Sequence, residues 1–398
     1  MTEIMKKFKT LIVIDNLNTG GVATSLYNFL HYAEEYMDID LLVFDMQSID
    51  YSRIPANIKI LKSDSRLSIL GVSQKDMFYR SFFNSLKRLF YVLVSRIING
   101  EFARSIMLSK ISRLGSYDLA ISYAQDNAWK SLSKGCVDYV VKNVDSKRKA
   151  TFIHCDYSNF GGYDKRQEKT LSQLDDIICV SESCKISFIK MFPNLREKCD
   201  VIENFINIKQ VVGMSKAFDT GFESEKYFVT VCRLSEEKGL LRTINIWELL
   251  KPINKYNYKW IIVGDGPDRK KIEKAIRLNH LESSVILVGN QHNPYPYVRN
   301  AKLFVLVSFH EAAPMVFGES AALGIPIFAT ETCSAREIVE SRKWGVVVSN
   351  NNRGICEGLS SILENGQIPE LTPQLDNVNH MANMQLKTYL NQIYGREI

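Results

Sequence analysis

The sequence predicts an α/β protein built from two doubly wound parallel-sheet domains, and three observations carry that prediction. The chain has 398 residues, more than one domain usually holds. Short, uniformly apolar runs alternate with longer segments of helical period. The alternation also pauses after about residue 206 and restarts near 225. The first series reads "TLIVID", "DIDLLVFD", "DLAISYA", "KATFIHCD" and "DDIICVS", and the second reads "KYFVTVCRL", "YKWIIVGDG", "SVILVGN", "AKLFVLVS" and "IPIFATE". Runs without polar alternation belong to strands covered by helices on both faces. The polar, Gly- and Ser-containing stretch 207–226 reads as a linker. The expected organisation is a Rossmann-like domain over 1–206, with a variable helical region at about 65–115, followed by a second Rossmann-like domain over 207–375. A final amphipathic helix over 376–398 is expected to pack back on the first domain.

Composition narrows the function classes. With 50 Lys and Arg against 44 Asp and Glu, the net charge is +6. That suits an anionic ligand or an anionic membrane surface but is too weak to argue for nucleic acid, and no nucleic-acid motif is present. None of the eight cysteines forms a CxxC pair, and several lie inside apolar strand runs. They read as small buried hydrophobes of a reducing compartment rather than as zinc ligands. The start, "MTEIMKKFKTLIVID", places Asp15 directly after a short apolar run, so it does not read as a signal peptide. With no run of about 18 apolar residues to cross a bilayer, the expected location is the cytoplasm.

Residues 76–100, "DMFYRSFFNSLKRLFYVLVSRIING", differ from the rest. Phe78, Phe82, Phe83, Leu86, Leu89, Phe90, Leu93, Val94 and Ile97 fall on one stripe at three- and four-residue spacings, while Arg80, Lys87 and Arg88 fall off it. The stripe fits either the core of the first domain or a membrane interface. Arg96, Arg104, Lys110 and Arg113 nearby favour an anionic surface at the inner face of a membrane.

Several loops between strand and helix carry the residue types that bind phosphates and polyols. "NTGGVATSLYNFL" sets Gly20 and Gly21 at a helix start, where free N–H groups suit an anion and glycine permits close approach. "VCRLSEEKGL" brings Arg233 and Lys238 into one loop, where they suit a diphosphate or are plain surface charges. "FIHCDYS" sets His154 at the end of a strand, the end that faces ligands in such sheets, although a lone histidine is more often a satisfied structural one. "VGDGPDRKK" has Gly264 and Gly266, but Arg269 stands where a dinucleotide fingerprint needs its third glycine. In "SFHEAAPMVFGESAALGIP" a helix should start near Met315 behind Pro314. Glu319 would lie about one turn in, able to accept two hydrogen bonds from ribose hydroxyls. Glu311 would lie in the preceding loop; alternatively, both carboxylates only complement the helix dipole.

In this order and spacing the motifs resemble the family-4 retaining glycosyltransferases of the GT-B fold (group 1 glycosyltransferases), over residues 9–55 and 117–365. The E-x7-E pair Glu311 and Glu319 is the most specific element, supported by "CRLSEEKG", "IIVGDGP", "AKLFVLVS" and "SAREIV". The resemblance implies two doubly wound domains facing across a cleft. It also implies transfer of sugar from a nucleotide-sugar donor, expected to be UDP-linked, to a glycan or lipid-linked acceptor of a bacterial surface polysaccharide or glycoconjugate. It assigns Glu319 to the donor ribose, Glu311 to the donor sugar, and Arg233 and Lys238 to the diphosphate. Ala313, Pro314, Met315 and Val316 would border sugar and phosphate. Gly21 would approach the phosphates from the other domain, His154 would touch the sugar near the reacting centre, and Gly264 with the loop at Asn290 would lie near the base. The catalytic group is thus Glu311, His154, Arg233 and Lys238. No cofactor or metal is expected, because the cations and helix N–H groups neutralise the diphosphate. The chain departs from the pattern at Phe205, Cys232 and Ala312, where the family commonly has glycine. Weaker alternatives are a nucleotide-sugar epimerase, a sugar phosphorylase, or a non-catalytic nucleotide-sugar-binding module.

Overall fold

The computed structural model describes residues 7–18, 20–126, 128, 130–158 and 164–395. The basic start discussed above lies, over residues 1–6, outside them. The chain folds into two units, one formed by Met1–Phe205 with Met381–Ile398 and the other by Ile206–His380.

The first unit is built on seven strands: β1 (Phe8–Ile14), β2 (Met37–Val43), β3 (Lys59–Ile60), β4 (Leu114–Ser122), β5 (Val144–Ile153), β6 (Asp176–Cys179) and β7 (Cys199–Val201). Their order is β3-β2-β1-β4-β5-β6-β7, every pair parallel. The chain leaves β1 toward one edge and returns to β4 on the other side, so the switch point lies between β1 and β4. Five of these strands are the apolar runs read from the sequence. The other two, β3 and β7, are edge strands of two and three residues, too short for a periodic signal. An aromatic cluster packs beside the sheet, with Phe29 edge-on to both Phe152 and Phe205, and Tyr123 stacked on Phe152. Phe205, a departure from the family pattern, is therefore a core residue; its ring also stacks on Tyr32, and its carbonyl accepts a bond from Asn28.

The His380–Tyr394 helix belongs largely to this unit. Tyr389 donates to Asp176 at 3.0 Å, Gln385 accepts from the Glu203 amide, and Tyr394 stacks on Phe8.

The second unit has six parallel strands: β8 (Tyr227–Val231), β9 (Lys259–Val263), β10 (Val285–Gly289), β11 (Leu303–Leu306), β12 (Ile327–Thr330) and β13 (Gly345–Val348). Their order is β10-β9-β8-β11-β12-β13. It repeats the pattern of the first unit, with its switch point between β8 and β11. β13, "GVVV", went unread because it pairs only at the sheet edge and is half exposed. Residues 207–226 are not a plain linker. Asn207 caps a helix over Ile208–Met214 that buries Val211 in the core of this unit, and Asn293 holds the carbonyl of Met214. The polar composition that suggested a linker is what a short capped helix and its following turn require.

Two arginines counted toward a basic surface are buried instead. Arg88 donates to the Ile69 carbonyl and to Ser133. Arg104 lies between Asp138 at 2.5 Å and Asp126 at 3.7 Å, with the Ser131 carbonyl also in reach. They hold polypeptide together and are not presented to a partner.

Candidate donor-binding site

The second unit's site is built from the loops that leave β8 and β11, on either side of the switch point. The loop after β8 ends in Gly239, whose left-handed backbone (φ 66°) admits few other residues, and a Cβ there would lie 2.3 Å from the Val307 carbonyl. Glycine thus lets the start of the Leu240–Leu250 helix close against the end of β11. The two loops are also joined by a bond from the Phe309 amide to the Glu237 carbonyl, 2.8 Å.

The charged residues meet there. Lys238 Nζ lies 2.6 Å from Glu311 Oε1, and Ser308 donates to the same oxygen at 2.6 Å. Both side chains are mostly buried, with 20% and 13% of their surface exposed. Burial works against the charge on Lys238, but the adjacent Glu311 carboxylate and its hydrogen bond outweigh it and raise the lysine's pKa. Arg233, five residues earlier, is exposed, and its side chain has no ion pair or hydrogen bond among the described residues. The loop after β8 therefore carries one free guanidinium and one ammonium held by a carboxylate.

The Met315–Ala322 helix starts where the sequence places it, behind Pro314 in extended conformation. Its first turn bond runs from the Phe317 amide to the Pro314 carbonyl, leaving the Met315 and Val316 amides ahead of it. Ala312 and Ala313 lead into this start, and Ser334 donates to the Ala312 carbonyl. Glu319 is half-buried one turn in and accepts from the Tyr295 hydroxyl at 3.1 Å.

Four supporting residues escaped the sequence reading. Arg242 donates to the Val307 carbonyl at 2.7 Å and to Asn350 at 2.6 Å, and its guanidinium stacks 3.9 Å from the Phe309 ring. Asn350 in turn donates to the carbonyls of Ser308, Phe309 and Glu331. With Tyr295 on Glu319 and Ser334 on Ala312, these side chains fix the loop that carries Glu311. Their partners are loop carbonyls and side chains, most of them twenty or more residues away, so no spacing rule could have found them.

Gly264 has a structural explanation. A Cβ there would fall 1.9 Å from the Cys232 carbonyl, at φ 143°. Gly264 lets the loop after β9 lie against the loop after β8, and Gly266 does the same against Leu234. Asn290 is exposed at the end of β10. Among the described residues no three of His, Cys, Asp and Glu cluster as a metal site would need.

The first unit brings its own predicted pair to its sheet ends. Gly21 opens the Gly21–Ala33 helix and is exposed. A Cβ at this position would meet nothing within 4 Å, so protein packing does not demand glycine there. His154 follows β5, half-buried against Tyr123 and Phe152. Its amide donates to Gln125 at 3.0 Å, and its Nε2 lies 3.0 Å from the Tyr123 carbonyl. A carbonyl only accepts, so Nε2 carries the proton. Burial, with a smaller contribution from Lys134, pushes the imidazole pKa down to about 3 and keeps it neutral, leaving Nδ1 as an acceptor.

Two doubly wound parallel sheets of this order define the GT-B class of fold. In agreement, the chain superposes over 97% of its length on all of the Anabaena protein HepE, in a structure with UDP and glucose, at TM-score 0.65 and 15% identity. Residues 215–377, most of the second unit, match the family model described as "Glycosyl transferases group 1". Among curated relatives, an uncharacterized glycosyltransferase of Methanocaldococcus jannaschii is 28% identical over 39% of this chain. The Campylobacter jejuni "N-acetylgalactosamine-N,N'-diacetylbacillosaminyl-diphospho-undecaprenol 4-alpha-N-acetylgalactosaminyltransferase" is 27% identical over 43% of it. The matched stretches span 40% and 46% of those relatives, less than half of their length.

Proposed function

We propose that the protein is a retaining, metal-independent glycosyltransferase that moves a sugar from a UDP-linked donor to a glycan or lipid-linked acceptor in bacterial surface polysaccharide or glycoconjugate synthesis, working in the cytoplasm. The observation that carries this reading is the Lys238–Glu311 pair, which joins the loop after β8, where Arg233 also lies, to the loop after β11 that leads into the Met315–Ala322 helix. A diphosphate is matched by two cations and two helix amides. As the glycosidic bond breaks, the charge growing on the leaving diphosphate is met by groups already in place. Lys238 exchanges one anionic partner for another when the donor arrives, which releases Glu311 toward the sugar hydroxyls. Glu319, steadied by Tyr295, takes the ribose. In the first unit the same reading assigns His154, through Nδ1, to the donor sugar and Gly21 to the phosphates. The donor class is supported by the UDP and glucose of the HepE structure, and the lipid-linked acceptor by the name of the Campylobacter relative.

The test is a screen of nucleotide sugars for turnover and for protection against thermal unfolding. A donor at a hundred times its Kd adds about 2.7 kcal/mol of stability. Glu319→Ala and Arg233→Ala should each weaken the response. If no nucleotide sugar raises the melting temperature or is consumed, the reading fails.

A further inference from the structure

The Phe82–Ile97 helix of the first unit is amphipathic in the inverse sense. At 100° per residue, Ser85, Arg88 and Ser95 share one side, and that side is the buried one. Its polar groups bond inward: Gln74 donates to Ser85 Oγ at 2.7 Å, Arg88 binds the Ile69 carbonyl and Ser133 through its two terminal nitrogens, and Ser95 bonds back to Val92. The opposite side carries Phe82, Phe83, Leu86, Phe90, Leu93 and Ile97, all exposed, with Phe83 at 75% and Ile97 at 80%. The rings touch one another rather than a core, as in the edge contacts of Phe78 with Phe82 and of Phe82 with Phe83. A folded domain does not ordinarily turn its apolar stripe to water and its polar stripe inward, so this face is built to be covered.

We infer that what covers it is an anionic lipid surface, on which the helix lies parallel to the bilayer plane. Charge decides between this and a second copy of the chain. The helix contains no acidic residue. Lys87 falls on one flank of the apolar stripe and Arg96 on the other, and both are exposed without an ion pair among the described residues, as is Lys75 in the preceding helix. Two copies placed face to face would bring these cations together without partners. A surface of anionic headgroups satisfies them while the rings enter the acyl boundary. No helix among the described residues is long and apolar enough to cross a membrane, which fits docking rather than spanning. The inference stands apart from the donor reading and does not depend on it.

Vesicle sedimentation of the full-length protein, without nucleotide sugar, tests it. The protein should bind vesicles of phosphatidylglycerol with phosphatidylcholine, with affinity falling as salt rises, and should not bind phosphatidylcholine alone. Phe82→Ser with Phe83→Ser and Phe90→Ser should abolish binding. Lys87→Glu with Arg96→Glu should weaken it at least tenfold. Because all five side chains point to solvent, melting temperatures should stay within a few degrees of the parent, which separates lost docking from lost folding. Absence of binding, equal binding to neutral vesicles, or retained binding by the triple variant would overturn the inference. So would a lipid-free dimer that the triple variant converts to monomer, since the face would then belong to a second copy.

Discussion

The two units place charged residues at the same topological position and use them in opposite ways. In the first, Asp126 follows β4 beside the switch point, but it turns inward, accepting from the amides of Gly135 and Val137 and facing Arg104. Arg104 and Asp138 expose only 7% and none of their side chains. In the second, Glu311 follows β11 at the equivalent point, but its pair with Lys238 keeps part of both groups in solvent, and Arg233 beside it is free. The topology makes a crevice in both units; the depth of the charges decides whether they hold the fold or await a ligand. A charge deep in the protein cannot be released without leaving its partner unsolvated. A charge that keeps part of its surface in water can change partners at a smaller cost.

The sharpest way to break this comparison is Arg104→Met. It would leave Asp126 buried without its cation and Asp138 with Lys142 alone, at 3.4 Å, and should cost about 3–5 kcal/mol of stability, read by denaturant unfolding. A loss below ~1 kcal/mol would mean the buried cluster is not structural. Lys238→Ala should do the reverse, lowering kcat/KM for the donor by about 10²–10³-fold while costing less stability than Arg104→Met, about 1–2 kcal/mol, because Glu311 keeps its bond from Ser308 and some contact with water. Equal damage to folding and turnover would erase the distinction. Next in size is the pH response of His154. Because burial depresses its folded pKa to about 3, the unfolded chain binds one more proton between that value and about 6.5. Stability from this group is therefore full above about pH 6.5 and is lost as pH falls, by up to ~1.4 kcal/mol per pH unit. His154→Gln should flatten the acid limb of the melting-temperature profile, and an unchanged limb would mean that other groups set it. Smallest is Tyr295→Phe, which removes the hydroxyl on Glu319 and should weaken donor binding about three- to tenfold, measured by thermal-shift titration. No change there would mean that Glu319 is positioned without the Tyr295 hydroxyl.

Much of this was legible from the chain. Apolar runs such as "WIIV" and "LFVL" require burial on both faces, and that alone specifies a parallel sheet under helices. The helix start behind Pro314 and the Arg233–Lys238 loop follow from rules a few residues long. The edge strands β3, β7 and β13 were not legible, because a strand of two to four residues has no period to detect. Nor was the direction of the Phe82–Ile97 stripe. Its periodicity shows that one side is apolar but not which side faces in. That was decided by hydrogen-bond partners as distant as Ile69 and Ser133, which capture Arg88 and turn the polar side toward the protein.

The sequence by itself determined the two doubly wound sheets, the loops at their carboxyl ends, and the residue types of the donor grip. These depend on local propensity and on apolar patterning, which act over a few residues. Only the tertiary structure decided which cations are structural and which are available. It buried Arg88 and Arg104, left Arg233 free, paired Lys238 with Glu311, and set Arg242 and Asn350 beneath the loop that holds them. The reason is physical: a charge's role depends on its desolvation and on partners scores of residues away, and neither is written in the residues beside it.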